Sequence, residues 1–207
     1  MTYEDLSENN YVYVVLSRSS GLLSRLVRAV KGDEYTHAAL SLDLRLEYMF
    51  SFGRRRTRNP FIGCFKRERI CDAPRRPGGG LPGVVIEIPV SRMQYKNVIA
   101  LIETFLLNSH LYGYNYLGLA RNLWGRSRPI PARFFCSEFV YHVLHKNKVC
   151  DLGKPRNLVR PQDLMSIKGR VVFEGDLNEY RCSPGRETVA PRIFKKMAVR
   201  TYLATER

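Results

Sequence analysis

Short apolar runs and longer amphipathic stretches follow one another along the chain. Three runs of apolar, often β-branched residues have the length of buried strands: 11–16, 36–42 and 84–90. Two stretches carry apolar residues at every third or fourth position and therefore predict helices: 22–30 and 93–107. Ser91 is placed to cap the second of these helices. This order of elements predicts an α+β fold.

The pattern around residues 36–42 predicts a β-hairpin. Residues 43–45 have the composition of a turn, and 46–52 form an apolar run that suits the second strand. The stretch after this strand is rich in Arg, Pro and Gly, and it includes Asn59-Pro60 and the Pro-Gly-Gly-Gly segment at 77–80. We expect a long basic loop there.

The second half of the chain is expected to be more helical. An aromatic turn at 112–116 precedes a helix over 117–124, and another helix begins at Cys136 and ends near His145. The residues four, seven and eight positions after Cys136 are apolar and share its face, so the thiol should point inward. A short strand is predicted at 171–173.

Length and composition favour one globular domain. The chain has 207 residues, of which 44% are hydrophobic, and it shows no internal repeat, so we predict a single domain over 1–207. Its five scattered cysteines do not resemble a disulfide framework or a zinc site. The acidic, polar N-terminus does not look like a signal peptide, and no apolar run has transmembrane length. These features lead us to expect a reducing, cytoplasmic setting.

The net charge of +15 is large and unevenly distributed. Residues 54–76 hold nine basic side chains and two acidic ones, Glu68 and Asp72, which gives this stretch a charge of +7. A basic tail that mixes apolar and cationic residues begins at about 183. Either feature could bind an anionic membrane surface, or simply remain solvated or dock on the domain. The aromatic residues nearby form no RNA-binding signature, so nucleic acid is not an expected partner.

Cys136 and His37 are the residues most suggestive of chemistry. A cysteine on the first turn of a helix lies near unpaired N–H groups and the positive end of the helix dipole, which both favour the thiolate. A histidine on a strand can supply the base that a thiol nucleophile requires. The alternative is a buried structural cysteine and an unrelated histidine.

Three segments carry a family resemblance: Tyr35-Thr-His-Ala-Ala-Leu40, Tyr48-Met-Phe-Ser-Phe-Gly53 and Phe134-Phe-Cys-Ser-Glu-Phe-Val140. In this order they resemble the circularly permuted, papain-like cysteine hydrolases of the NlpC type, especially the YiiX-like branch. In that branch the histidine strand precedes the cysteine helix, as it does here, and the likeness extends over residues 10–180. The resemblance implies an antiparallel sheet packed against the helix that carries the nucleophile.

The resemblance also implies a Cys–His mechanism. Cys136 would be the nucleophile and His37 the base, and a polar group on the next strand would orient the imidazole. Glu47 is the candidate for this third group if the hairpin turn has an odd number of residues. A turn of even length would bring Tyr48 to the His37 face instead, and Ser51 is a weaker choice. Glu138 should face away from the thiol.

These residues predict a thiol hydrolase, of the amidase, peptidase or esterase kind, that acts through an acyl-enzyme. The substrate would be a small molecule, a peptide or a lipid, and no cofactor or metal is expected. Two alternatives stay open. One is an acyltransferase of the same fold that acts on lipid acyl groups, and the other is an inactive binding module with a basic surface. The oligomeric state is not predicted.

Overall fold

The computed structural model describes residues 10–18, 32–56, 59–70, 79–115 and 129–180. Side chains are described in these ranges except at 54–56 and 59–62. The helices expected at 22–30 and 117–124, residues 57–58 and 71–76 of the basic stretch, and the tail from about 183 lie outside the described residues. The proposed single domain over 1–207 therefore stays a prediction.

A six-stranded antiparallel sheet and two α-helices form most of the described structure. The elements are β1 (Asn10–Ser17), β2 (His37–Ser41), β3 (Met49–Arg56), β4 (Asn59–Glu68), β5 (Pro82–Val90), α1 (Arg92–Leu107), β6 (Gly113–Tyr114), β7 (Arg133–Phe134), α2 (Cys136–Lys146) and β8 (Arg170–Asp176). The strand order is β4-β3-β2-β1-β5-β8, and β6 and β7 make a separate parallel pair. The described chain therefore has an α+β fold, as predicted.

Most of the predicted elements are present close to their predicted bounds. The strands at 11–16 and 84–90 are β1 and β5, and the helix at 93–107 is α1. Ser91 caps α1 through a capping box, in which its hydroxyl accepts from the Gln94 backbone and the Gln94 side chain accepts from the Ser91 backbone.

The hairpin of β2 and β3 is confirmed, but its second strand starts later than predicted. Leu40 pairs with Phe50 and Ser41 pairs with Met49, so residues 42–48 form the connection. Asp43 organises this loop, because its carboxylate accepts the backbone N–H groups of residues 47 and 48 at 3.1 and 2.8 Å. A strand cannot form where a side chain takes up the backbone donors of a sheet ladder.

The long basic loop expected after β3 is wrong over residues 59–68, which form β4. This strand pairs with β3 along most of its length, with Phe65 opposite Phe52 and Glu68 opposite Met49. Charged residues on one face and on the edge of the sheet obscured a period of two in the sequence. Only Phe65 inside the described part of this strand is a large buried apolar residue.

Both helices pack on one face of the sheet. Their buried residues join those of β1, β2, β3 and β5 in one core, and the aromatic rings next to α2 fix its position on β3 and β4. Phe139 of α2 lies 5.6 Å from Phe52 and 5.2 Å from Phe65, measured between ring centroids. Each fully buried ring contributes about 2 kcal/mol through apolar burial. This packing brings the first turn of α2 to the end of β2 where His37 lies.

Candidate active site

The thiol of Cys136 is presented at the start of α2. Phe135 is the N-cap residue, with extended backbone angles and no side-chain cap, so Cys136 is the first helical residue. Phe134 and Phe135 are buried on the chain that leads into the helix, which fixes the entry direction. The first N–H groups of a helix have no partner within it, so they favour an anion at this position.

His37 is the first residue of β2, and a bridge to a distant segment holds the chain that precedes it. The side-chain Oε1 of Gln162 accepts the backbone N–H groups of Glu34 and Tyr35 at 3.1 and 3.2 Å. The backbone N–H of Thr36 donates to the carbonyl of Ser17 at 3.0 Å. The backbone next to the imidazole is therefore fixed on both sides, by the sheet and by this bridge.

The imidazole of His37 lies between the Cys136 thiol and the carboxylate of Glu68. Nε2 of His37 is 2.8 Å from Oε2 of Glu68, and the Cys136 thiol interacts with the same ring. Because Nε2 faces the carboxylate, Nδ1 is the nitrogen left for the sulfur. The side chains of His37 and Glu68 remain 24% and 12% exposed, so a reactant can approach from solvent.

The His37 imidazole and the Glu68 carboxylate each stabilise the charged form of the other. Burial alone would lower the pKa of His37, but attraction to Glu68 and hydrogen bonds with Cys136 and Glu68 raise that pKa to about 10. Burial would raise the pKa of Glu68, but His37, followed by Lys66 and the neighbouring Ser51 hydroxyl, lowers it to about 2. At neutral pH the site therefore holds an imidazolium–carboxylate pair beside the thiol.

Lys66 and Gly53 shape the far side of the carboxylate. The ammonium of Lys66 lies 3.1 Å from Oε1 of Glu68, so each carboxylate oxygen has a cationic neighbour. A Cβ at Gly53 would lie 2.9 Å from Cε of Lys66 and 3.1 Å from Oε1 of Glu68. Glycine at this position leaves the room that the two side chains occupy.

The three candidates for the orienting group lie in different places. Glu47 is exposed in the loop before β3, and its carbonyl accepts from Nε of Arg67 at 2.8 Å. The assignment of Glu47 is therefore corrected: Glu68 is the carboxylate at the imidazole. Tyr48 is buried with the Arg67 guanidinium over its ring, and Ser51 is buried near Glu68.

The sequence pattern does not point to Glu68, because it predicts a loop where β4 lies. The residues before it alternate, with Phe65 and Arg67 on one face and Lys66 and Glu68 on the other. Glu68 is also one of two acids in the basic stretch, and an isolated carboxylate among cations was the available signal. Neither signal shows the register that brings Glu68 to His37.

Two further properties of the described residues bear on function. In the part of the chain that the structure describes, no three His, Cys, Asp or Glu side chains gather as metal ligands. Neither of its α-helices combines the length and the apolar character needed to cross a bilayer.

Comparisons with protein family models, curated proteins and solved structures find no match to this chain.

Proposed function

We propose that this protein is a cysteine hydrolase that cleaves an amide or ester through an acyl-enzyme on Cys136, on a permuted papain-like fold of the NlpC type. The observation that carries the proposal is the continuous contact from the Cys136 thiol through the His37 imidazole to the Glu68 carboxylate. A buried structural cysteine has no need of a histidine and a carboxylate in this order. An activated thiol uses a base beside it and a third group that orients this base.

The raised pKa of His37 sets the course of the first half-reaction. In the proposed reaction the Cys136 sulfur attacks as a thiolate beside the protonated imidazole, so His37 acts as an acid once the sulfur has attacked. The sulfur adds to the carbonyl carbon, and the bond to the leaving nitrogen or oxygen breaks as His37 donates its proton to that atom. A thioester on Cys136 and a neutral imidazole remain.

The second half-reaction reverses the role of the imidazole. Neutral His37 takes a proton from water, and the hydroxide adds to the thioester carbonyl. The carbon–sulfur bond then breaks, which releases the acid and restores the thiolate beside the imidazolium. Glu68 keeps the imidazole oriented and stabilises its charged form in both steps, while the backbone N–H groups at the start of α2 are donors for the oxyanion.

Selective alkylation tests the proposal without a known substrate. Iodoacetamide should label Cys136 in the full chain at least tenfold faster at pH 7 than it labels Cys64, Cys71, Cys150 or Cys182. Cys150 makes a useful internal reference, because burial and then Asp151 raise the pKa of its thiol to about 11. Equal labelling of all five cysteines would contradict the proposal and favour a binding module.

Trapped adducts test the acyl-enzyme itself. The full chain is exposed to a cell lysate and the Cys136 peptide is examined by mass spectrometry for acyl groups. Adduct formation should fall about 10²- to 10⁴-fold in His37→Ala, which lacks the proton carrier. Adducts that form at the wild-type rate in His37→Ala would remove that role from the histidine. Adducts resolved only by an added amine or alcohol would mark an acyltransferase.

A further inference from the structure

Glu138 is a fully buried carboxylate on the same helical turn as the thiol. It lies two residues after Cys136 and its side chain has no exposed surface. Oε1 of Glu138 is 3.2 Å from Nε of Arg156, and Oε2 accepts from Nδ2 of Asn115 at 3.4 Å. The backbone N–H of Phe135 is a third partner of this carboxylate. An interaction with the helix dipole alone does not explain such burial, which costs several kcal/mol per ion before pairing.

Arg156 joins the chain on both sides of Cys136. Its guanidinium lies 4.4 Å from the centroid of the Phe134 ring, and Nη2 donates to the carbonyl of Ile130 at 3.1 Å. The same group pairs with Glu138 after the thiol. One side chain therefore contacts the residues that lead into α2 and the first turn of that helix, as the forked shape of a guanidinium allows.

We propose that Arg156 is a positioning residue for Cys136, which holds the first turn of α2 through Glu138 and offsets the negative charge of this buried carboxylate two residues after the thiol. The inference deepens the proposed function and depends on it, because the position and charge of the sulfur matter only if Cys136 is the nucleophile. Asn115 and the Phe135 N–H complete the arrangement.

The charges around the first turn of α2 define what Arg156 changes. His37 and Glu68 face the thiol from the sheet and are mutually paired. His142 lies further along α2, where burial and then Arg156 lower its pKa to about 4, so it is neutral near pH 7. Loss of Arg156 would leave the Glu138 carboxylate, two residues after Cys136 and with a pKa that burial already raises, without its cationic partner. An anion at that position opposes a thiolate, whereas its removal favours one.

Paired substitutions in the full-length chain test this role through the pH dependence of iodoacetamide labelling at Cys136. In Arg156→Met the midpoint of the labelling pH profile, the pH of half-maximal rate, should move to higher pH. A shift of one pH unit would make labelling at pH 7 about tenfold slower. In Glu138→Gln the midpoint should move to lower pH. The double variant should return towards the wild-type midpoint. Arg133→Met removes an exposed cation from β7, just before α2, and serves as the matched control.

The direction of the shifts separates positioning from ordinary stabilisation. Thermal unfolding of each variant is measured in parallel, and midpoints that stay at the wild-type value in both Arg156→Met and Glu138→Gln would overturn the proposal even if both variants are less stable. If Arg156→Met shows no cooperative unfolding, Arg156→Lys is used to test the proposal instead. Lysine keeps the positive charge but lacks the forked guanidinium. The midpoint of the labelling pH profile should therefore stay within a few tenths of a pH unit of the wild-type value, while the labelling rate falls.

The outcome also distinguishes this inference from the proposed function. If wild-type Cys136 labels no faster than the other cysteines, the proposed function fails first. If wild-type labelling is selective and depends on His37, but neither single variant moves its midpoint, only the role of Arg156 fails.

Discussion

At the scale of single residues, Glu68 decides whether the His37 imidazole carries a proton at neutral pH. Nothing else described near the imidazole combines a contact of 2.8 Å with a negative charge. Lys66 holds the other carboxylate oxygen, so the carboxylate is fixed and cannot turn away at little cost. The reactivity of the thiol on α2 therefore depends on a residue 68 positions before it in the sequence, at the end of β4.

Replacement of this carboxylate by an amide should lower the reactivity of the thiol. In Glu68→Gln the imidazole loses its charged partner, so its pKa falls and labelling of Cys136 by iodoacetamide at pH 7 should slow about 10- to 100-fold. Glu47→Gln is the matched control, because Glu47 is exposed in the preceding loop. Labelling that slows equally in both variants would contradict the assignment of Glu68.

The ion pair should also give stability a defined pH window. Since the pKa of His37 is raised from 6.5 to about 10, its contribution is complete below pH 6.5 and is lost as pH rises towards 10. The pKa of Glu68 is lowered from 4.5 to about 2, so its contribution is present above pH 4.5 and is lost as pH falls towards 2. Urea unfolding of wild type and Glu68→Gln should differ most between these limits, by about 1–3 kcal/mol.

At the scale of elements, the sequence predicts the parts whose pattern is local. The runs that became β1, β5 and α1 are apolar with a clear period, and the Cys136 helix follows the same rule. β4 was missed because it lies at one edge of the sheet and carries charges. The pattern does not predict the loop around Asp43, because the Asp43 carboxylate binds two backbone N–H groups that a strand would use for pairing. Both errors fall where side-chain chemistry overrides the apolar pattern.

Only the parts of the site that depend on local sequence patterns could be predicted. Cys136 and His37 belong to a helix and a strand with recognisable patterns. Their residue types and positions therefore predicted a nucleophile and its base. Glu68 comes to His37 only through the pairing of β4 with β3, and that register depends on contacts far apart in the sequence. Arg156 and Glu138 meet across 18 positions for the same reason.

Gly53 on β3 gives a test of close packing in the site. In Gly53→Ala the new methyl group would press on the ends of the Lys66 and Glu68 side chains, which must shift. Those ends are flexible, so the melting temperature should change by only a few degrees, while Cys136 labelling falls about tenfold because the imidazole loses its orientation. Thermal unfolding and labelling are measured on one preparation, and unchanged labelling would show that the site adapts.

At the scale of the whole molecule, an aromatic core connects the two halves of the site. Phe52 of β3, Phe65 of β4 and Phe139 of α2 are in mutual contact, with centroids 5.2 to 5.6 Å apart. The strand that carries Glu68 and the helix that carries Cys136 are therefore held in place by the same rings. Stability and the geometry of the site should fail together when this core is disturbed.

Truncation of one ring should show this coupling. Phe139 is fully buried, so Phe139→Ala should destabilise the chain by about 3–5 kcal/mol and abolish selective labelling of Cys136. Phe139→Leu keeps most of the volume and should cost less in both measurements. The readouts are urea unfolding and the labelling ratio of Cys136 to Cys150. A ratio retained in Phe139→Ala would show that the site does not need this ring.

In the described sheet, β4 is an outermost strand with one neighbour, β3, whereas β2 has two. Outer strands of a sheet open at lower free energy than inner ones. Amide protons of β4 should therefore exchange with deuterium sooner than those of β2. Gentle warming would then release Glu68 before the rest of the sheet melts, and thiol reactivity would decay several degrees below the main unfolding transition.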